Sequence, residues 1–102
     1  MARENAKKKR DWVLYAYILQ ARGGQLALHD LIEELNAWPK RDTRRQRVGQ
    51  ILGRNKRRGF IQVEAFHHEG RYVSIWAFQG ELPEIPKRTL RDWEEKLDID
   101  RS

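Results

Sequence analysis

The stretch KRDTRRQRVGQILGRNKRR, from Lys40 to Arg58, decides how this chain folds and what it meets. Nine of its nineteen residues are Lys or Arg, and Asp42 is its only acid, so the segment carries a net charge of +8. The whole chain of 102 residues carries +6, which leaves −2 for the other 83 residues. Such a local excess of positive charge is typical of a surface that binds a polyanion.

Within this segment the apolar residues have helical spacing. Val48, Ile51 and Leu52 fall on one side of a helical wheel, which predicts a third helix with one face on a core and a cationic face outside. Gly49 and Gly53 each cost such a helix about 1 kcal/mol relative to Ala. Two reasons for tolerating that cost stay open: close approach to another backbone, or local flexibility.

Two further helices are predicted before the basic segment. DWVLYAYILQA, residues 11–21, is strongly apolar and ends at Gly23 and Gly24, which favours a helix over a strand. LHDLIEEL, residues 28–35, repeats leucine and isoleucine at intervals of three and four and is a second amphipathic helix. Leu26, just before it, is expected either to form a short strand or simply to pack.

After Gly59 the hydrophobic period changes from 3.6 to 2. FIQVEAF and RYVSIWAF are two β-rich runs joined by HHEG, which predicts a two-stranded β-hairpin with Gly70 in its turn. The residues expected to pack from this hairpin are Phe60, Ile61, Val63, Val73, Ile75 and Trp76.

The two ends of the chain have opposite charge. Residues 1–10, MARENAKKKR, carry +4 and are expected to form a flexible basic arm, while residues 81–102 carry −2. Leu90, Trp93 and Leu97 are spaced for a short C-terminal helix, which either packs on its own domain or forms a dimer with another copy. The chain is thus divided into an arm (1–10), a central domain (11–80), and a linker with a C-terminal helix (81–102).

Composition excludes several classes of protein. Four Trp, three Tyr and three Phe supply core material for one small domain, no apolar run is long enough to span a bilayer, and cysteine is absent. His67 and His68 with His29 do not form a pattern of metal ligands. No nucleophile–base set and no phosphate-cradling glycine motif is present, so we expect no enzyme activity, no cofactor, no metal and no small-molecule ligand. An intracellular protein of the cytoplasm, associated with the nucleoid, is the expectation.

The order of helix, helix, basic helix and hairpin resembles a winged helix-turn-helix domain over residues 11–80. LHDLIEEL resembles the first helix of the helix-turn-helix, DTRRQRVGQILGRNKRRG the recognition helix, and GFI the entry to the wing. The family occurs in small bacterial, archaeal and viral transcriptional regulators. The resemblance implies an α+β fold of three helices and a two-stranded wing, here with an additional C-terminal helix, and implies double-stranded DNA as partner.

The helical wheel separates two groups of candidate DNA-binding residues. A helix fits the DNA major groove, where Arg recognises guanine and Gln recognises adenine by paired hydrogen bonds. The candidates for base reading are Thr43, Gln46, Arg47, Gln50 and Arg54. The candidates for backbone binding are Lys40, Arg41, Arg44, Arg45, Lys56, Arg57 and Arg58, and those in the wing are His67, His68 and Arg71.

These patterns together predict a sequence-specific double-stranded-DNA-binding protein, a transcriptional regulator that acts as a dimer through Leu90, Trp93 and Leu97. Two alternatives stay open. The large Arg and Lys excess also suits a nucleoid protein that coats DNA without choosing a sequence. A winged helix could instead bind structured RNA or serve as a protein adaptor.

Overall fold

The computed structural model describes residues 11–99, so the predicted basic arm lies outside the described residues. Within that range the chain is α+β, with four α-helices and one antiparallel sheet. None of the helices within residues 11–99 combines the length and the apolar character that a membrane span requires. In chain order the elements are α1 (Asp11–Ala21), β1 (Gln25–Ala27), α2 (Leu28–Leu35), α3 (Arg45–Arg54), a 3-10 helix (Lys56–Arg58), β2 (Phe60–His68), β3 (Arg71–Phe78) and α4 (Lys87–Lys96).

Helix α1 is the centre of the core. Its residues Val13–Ala16 are buried in succession, as are Ile18 and Leu19, because the helix contacts α2 and α3 as well as strands β1 and β3. A helix covered on several sides needs apolar residues nearly all round, which explains why its sequence has no clear polar face. The predicted helix over residues 11–21 is confirmed.

The sheet has three strands in the order β1-β3-β2, all antiparallel. Leu26 lies in β1 opposite Trp76, so the strand alternative for this residue is the one found. The predicted hairpin of β2 and β3 is found, and β1 adds a third strand to its sheet. A three-residue strand whose partner lies far along the chain leaves little periodicity in its own sequence.

The turn of the hairpin is shorter than predicted. It consists of Glu69 and Gly70, with φ values of 51° and 78°, which is the positive-φ pair typical of a two-residue hairpin turn. His67 and His68 were expected in the turn but lie in β2, opposite Tyr72 and Arg71.

Only part of the predicted packing on the hairpin is found. Phe60 and Trp76 are buried, and Val73 and Ile75 are half-buried, but Ile61 is 42% exposed and Val63 is 50% exposed. The prediction for these two residues was wrong, because β2 is an edge strand and a bulge between Gln62 and Glu64 shifts Val63 out of the ladder.

The C-terminal helix packs on the same core as the rest of the chain. Trp93 and Leu97 are buried in that core, and the Trp93 ring lies 5.5 Å from the ring of Tyr17. Leu90 is half-buried. Self-packing thus accounts for two of the three residues in the apolar stripe, and a dimer through this stripe stays a prediction.

The base of the hairpin holds the basic 3-10 helix close to the sheet. Gly59 has a φ of 118°, and a Cβ on it would overlap the backbone of Gly80, while the Gln79 amide donates to the Gly59 carbonyl over 2.9 Å. Arg58 lies with its guanidinium carbon 4.4 Å from the centre of the Trp12 ring. These contacts hold the C-terminal end of the basic segment, Arg58 and Gly59, against α1 and the end of β3.

Candidate nucleic-acid interface

Helix α3 is anchored by its apolar side. Val48 and Leu52 have no exposed surface and Ile51 is buried, so the predicted inward face is confirmed. Asn55 follows the helix, and its side-chain amide donates to the Ile51 carbonyl over 2.7 Å. That bond satisfies a carbonyl that the end of the helix would otherwise leave without a partner. The polar side chains of α3 are therefore held in a defined orientation.

The opposite side of α3 faces outward. Gln46, Gln50 and Arg54 are exposed, and Arg47 is half-buried on one flank. Thr43 was placed with them on the assumption that the helix begins near it, but α3 begins at Arg45 and Thr43 lies half-buried in the preceding loop. Four of the five base-reading candidates therefore lie in α3, on or beside its exposed side, and Thr43 does not.

Gly49 and Gly53 lie in α3 with open space beside them. A Cβ atom on either residue would meet no heavy atom within 4 Å in the described part of the chain. Close approach of another segment of that part is therefore not the reason for these glycines. Because Gly49 and Gly53 have no side chains, the surface of α3 between its exposed polar face and the hairpin is bare backbone.

Several of the backbone-binding candidates already have partners in the described structure. Arg41 forms an ion pair with Asp11, and Arg44 donates to both carboxylate oxygens of Asp42, at 2.9 and 2.8 Å. Hydrogen bonds from Arg44 hold the pKa of Asp42 down at about 2. Asp42 therefore remains an anion within the most basic part of the sequence.

Two more of these arginines support the scaffold. Arg45 donates from Nη2 to the Tyr72 carbonyl over 2.8 Å, which joins the start of α3 to the hairpin. Arg58 donates to the Asn55 side-chain oxygen over 3.1 Å and covers the ring of Trp12. Their charge still contributes to the field of this face, but part of their hydrogen-bonding capacity is used internally.

Within the segment Lys40–Arg58, four basic side chains have no hydrogen bond, ion pair or ring contact with the described residues 11–99: Lys40, Arg47, Arg54 and Arg57. Elsewhere in residues 11–99 the same is true of Arg71, Lys87, Arg88 and Arg91. Lys56 differs in that its ammonium lies 6.0 Å from the centre of the Trp76 ring. Cations without internal partners are the ones most able to bind an external anion.

The hairpin stands beside this face. His67, His68 and Arg71 are exposed near its tip, together with the apolar residues Phe66 and Tyr72, which are 38% and 48% exposed. The hydrogen bond from Arg45 in α3 to the Tyr72 carbonyl in β3 supports the position of the hairpin relative to the helix.

An open groove of about 960 Å³ runs along the other flank of α3. Helix α3 contributes Gln46, Arg47 and Gln50 to it, and α4 contributes Thr89 and Trp93. The loop before α3 supplies Lys40, Arg41, Asp42 and Arg44, and Asp11 completes the lining. No feature of the sequence predicts this groove, because nothing in the spacing of residues 81–102 shows that α4 lies beside α3.

Charged groups of the groove also act on a buried tyrosine. Burial, and then the Asp11 carboxylate, raises the pKa of Tyr15 far above its usual value, while Arg41 and Arg47 lower it to a smaller extent. The phenol is therefore neutral at any ordinary pH, and it adds no negative charge to this side of the molecule.

Comparison with protein-family models, with curated proteins and with solved structures finds no match to this chain. The case for a function therefore rests on the geometry described above. Within residues 11–99, no group of three or more His, Asp or Glu side chains could hold a metal ion.

Proposed function

We propose that this protein is a winged helix-turn-helix transcriptional regulator that binds double-stranded DNA in a sequence-specific manner. Helix α3 enters the major groove, and the hairpin acts as the wing on the backbone or in the minor groove. The observation that carries the proposal is the division of α3 into two sides. Val48 and Leu52 are fully buried, whereas Gln46, Gln50 and Arg54 face outward.

The order of elements supports this proposal. Three helices precede a long hairpin, and β1 lies between α1 and α2 and pairs with β3 at the edge of the sheet. The polar face of α3 is free of the chain's own core, which is the condition for docking into a duplex. A major groove about 12 Å wide admits one helix with side chains that reach the base edges.

Selection of bound sequences from a pool of random duplexes tests sequence specificity. We expect a short enriched motif at physiological salt, with purines at the positions read by Gln50 and Arg54. A pool that shows no enrichment after repeated rounds, although DNA is retained, would contradict the proposal.

The second candidate is a DNA-coating protein without sequence preference. It is favoured by the four basic side chains of the segment Lys40–Arg58 that have no internal partner, Lys40, Arg47, Arg54 and Arg57, because phosphate contacts need no particular sequence. Equal affinity for a selected duplex and its scrambled version would support this candidate. Competition with duplex RNA and with single strands separates both from an RNA-binding role.

We also propose that the regulator acts as a dimer. A two-fold protein dimer recognises two half-sites about 34 Å apart, so palindromy in the selected motif is the expected sign. Leu90 is the member of the predicted stripe that α4 leaves half-exposed. Sedimentation equilibrium of the parent and of Leu90→Lys tests this interface: a parent that stays monomeric at high concentration would contradict it.

A further inference from the structure

The groove between α3 and α4 has an unbalanced charge. Four of its lining residues are basic and two are acidic, and each acid is paired with an arginine: Asp11 with Arg41 and Asp42 with Arg44. The other two basic residues, Lys40 and Arg47, have no hydrogen bond or ion pair in the described chain. The groove therefore presents two positive charges that nothing within residues 11–99 neutralises.

The groove also lies on the side of α3 away from the hairpin. Arg45, which binds the hairpin backbone, and Arg47, which lines the groove, are two positions apart and so lie roughly 200° apart around the helix. Gln46 and Gln50 lie between these flanks and border the groove. A helix in the major groove has one sugar-phosphate strand on each side. With the wing on one side, the second strand would run along the groove.

We infer that the groove between α3 and α4 binds one sugar-phosphate strand of the duplex, so that α4 is a DNA-contacting element. This inference rests on the proposed DNA-binding function. Lys40 and Arg47 bind phosphates of that strand, and the hydroxyl of Thr89 donates to it from the facing wall. Arg47 is then a backbone contact, in contrast to its place among the base-reading candidates on the helical wheel.

A pair of variants on α4 tests this assignment. Thr89→Asp puts a carboxylate inside the groove, while Arg91→Gln lowers the net charge by the same amount on the opposite side of the helix. Arg91 lines a separate cleft with Glu94, Glu95 and Asp98. Position 89 is in the first turn of α4, where an acidic side chain suits the helix dipole, so the fold should tolerate the change.

The readout is affinity for one selected duplex, measured by fluorescence anisotropy over a series of salt concentrations. We expect Thr89→Asp to weaken binding at least about tenfold and to reduce the slope of log K against log salt by about 0.9, and Arg91→Gln to change affinity by no more than about twofold. Thr89→Arg, with Glu95→Gln as its charge-matched control, should tighten binding and increase that slope. These gains do not depend on whether Thr89→Asp folds well.

The outcomes separate this inference from the proposal on which it rests. If the parent binds the duplex but the position 89 variants behave like their controls, α4 does not contact DNA and the inference is overturned. If the parent does not bind duplex DNA, the proposed function itself fails. Hydroxyl-radical footprinting of the parent should in addition show a protected strand that regains cleavage with Thr89→Asp.

Discussion

Asp42 reduces the positive charge that the basic segment presents to an external anion. It is the only acid between Lys40 and Arg58, and it is bound by Arg44 through both carboxylate oxygens. The pair removes one positive charge and one guanidinium from a face that otherwise attracts phosphate.

We expect Asp42→Asn to tighten binding to any duplex by about two- to fivefold at low salt, because it removes a repulsive charge and frees Arg44. Glu95→Gln, which changes the charge equally on the far side of α4, is the control. Anisotropy titrations with selected and scrambled duplexes measure both. Unchanged binding by Asp42→Asn would contradict this expectation, and weaker binding would in addition indicate that the Asp42–Arg44 pair orders the loop for binding.

The same pair predicts a flat pH response. Since the folded-state pKa of Asp42 is lowered from 3.8 to about 2, the stabilisation that this group gives is present above the unfolded value and is lost only as the pH falls towards 2. The ratio of the affinities of parent and Asp42→Asn should therefore stay constant from about pH 8 down to about pH 3, where a carboxyl with the ordinary pKa of 3.8 would be mostly protonated. A ratio that changes between about pH 5 and pH 3 would mean that the carboxyl is not held by Arg44 in solution.

Gln50 and Arg57 test the division between base-reading and backbone-binding residues. Both are exposed and neither has an internal hydrogen bond in the described structure. Gln50→Ala should change the preference at one or two base pairs by about 1–3 kcal/mol. Arg57→Ala should weaken all duplexes nearly equally and lower the salt slope by about 0.9. Identical profiles of the two variants across a duplex library would refute the division into two groups.

At the scale of the elements, local periodicity was sufficient for the helices but not for the sheet. The buried residues Val48, Ile51 and Leu52 follow directly from their spacing. Pairing between β1 and β3 depends on residues far apart in the chain, and the exposure of Ile61 and Val63 depends on an edge position and a bulge. Neither feature leaves a mark on the local hydrophobic pattern.

Two glycines of different environment give a prediction for stability. Gly53→Ala should stabilise the protein by about 0.5–1 kcal/mol, because the site is helical and open. Gly59→Ala should destabilise it by at least about 1–3 kcal/mol, because φ is 118° and the Gly80 backbone is in contact. Urea unfolding followed by circular dichroism measures both. Equal midpoints would contradict the tight junction at the base of the hairpin.

At the scale of the whole molecule, the charge is arranged around α3. The hairpin lies on one flank of this helix and the groove with α4 on the other, while unpaired cations run from Lys40 to Arg57. The sequence predicted the charge and the helix that carries it. Packing of Trp93 and Leu97 on the chain's own core was one of the two alternatives for the C-terminal helix. The sequence did not predict that this packing brings Thr89 next to Gln46 and Arg47.

Base analogues in the selected duplex give the most direct test of the docking mode. Replacing adenine and guanine by their 7-deaza analogues removes the N7 acceptors from the major groove, whereas replacing guanosine by inosine removes the N2 amine from the minor groove. If α3 reads the major groove through Gln46, Gln50 and Arg54, the first replacement weakens binding strongly and the second has little effect. Full affinity for the 7-deaza duplex, together with loss of affinity for the inosine duplex, would contradict docking through this helix.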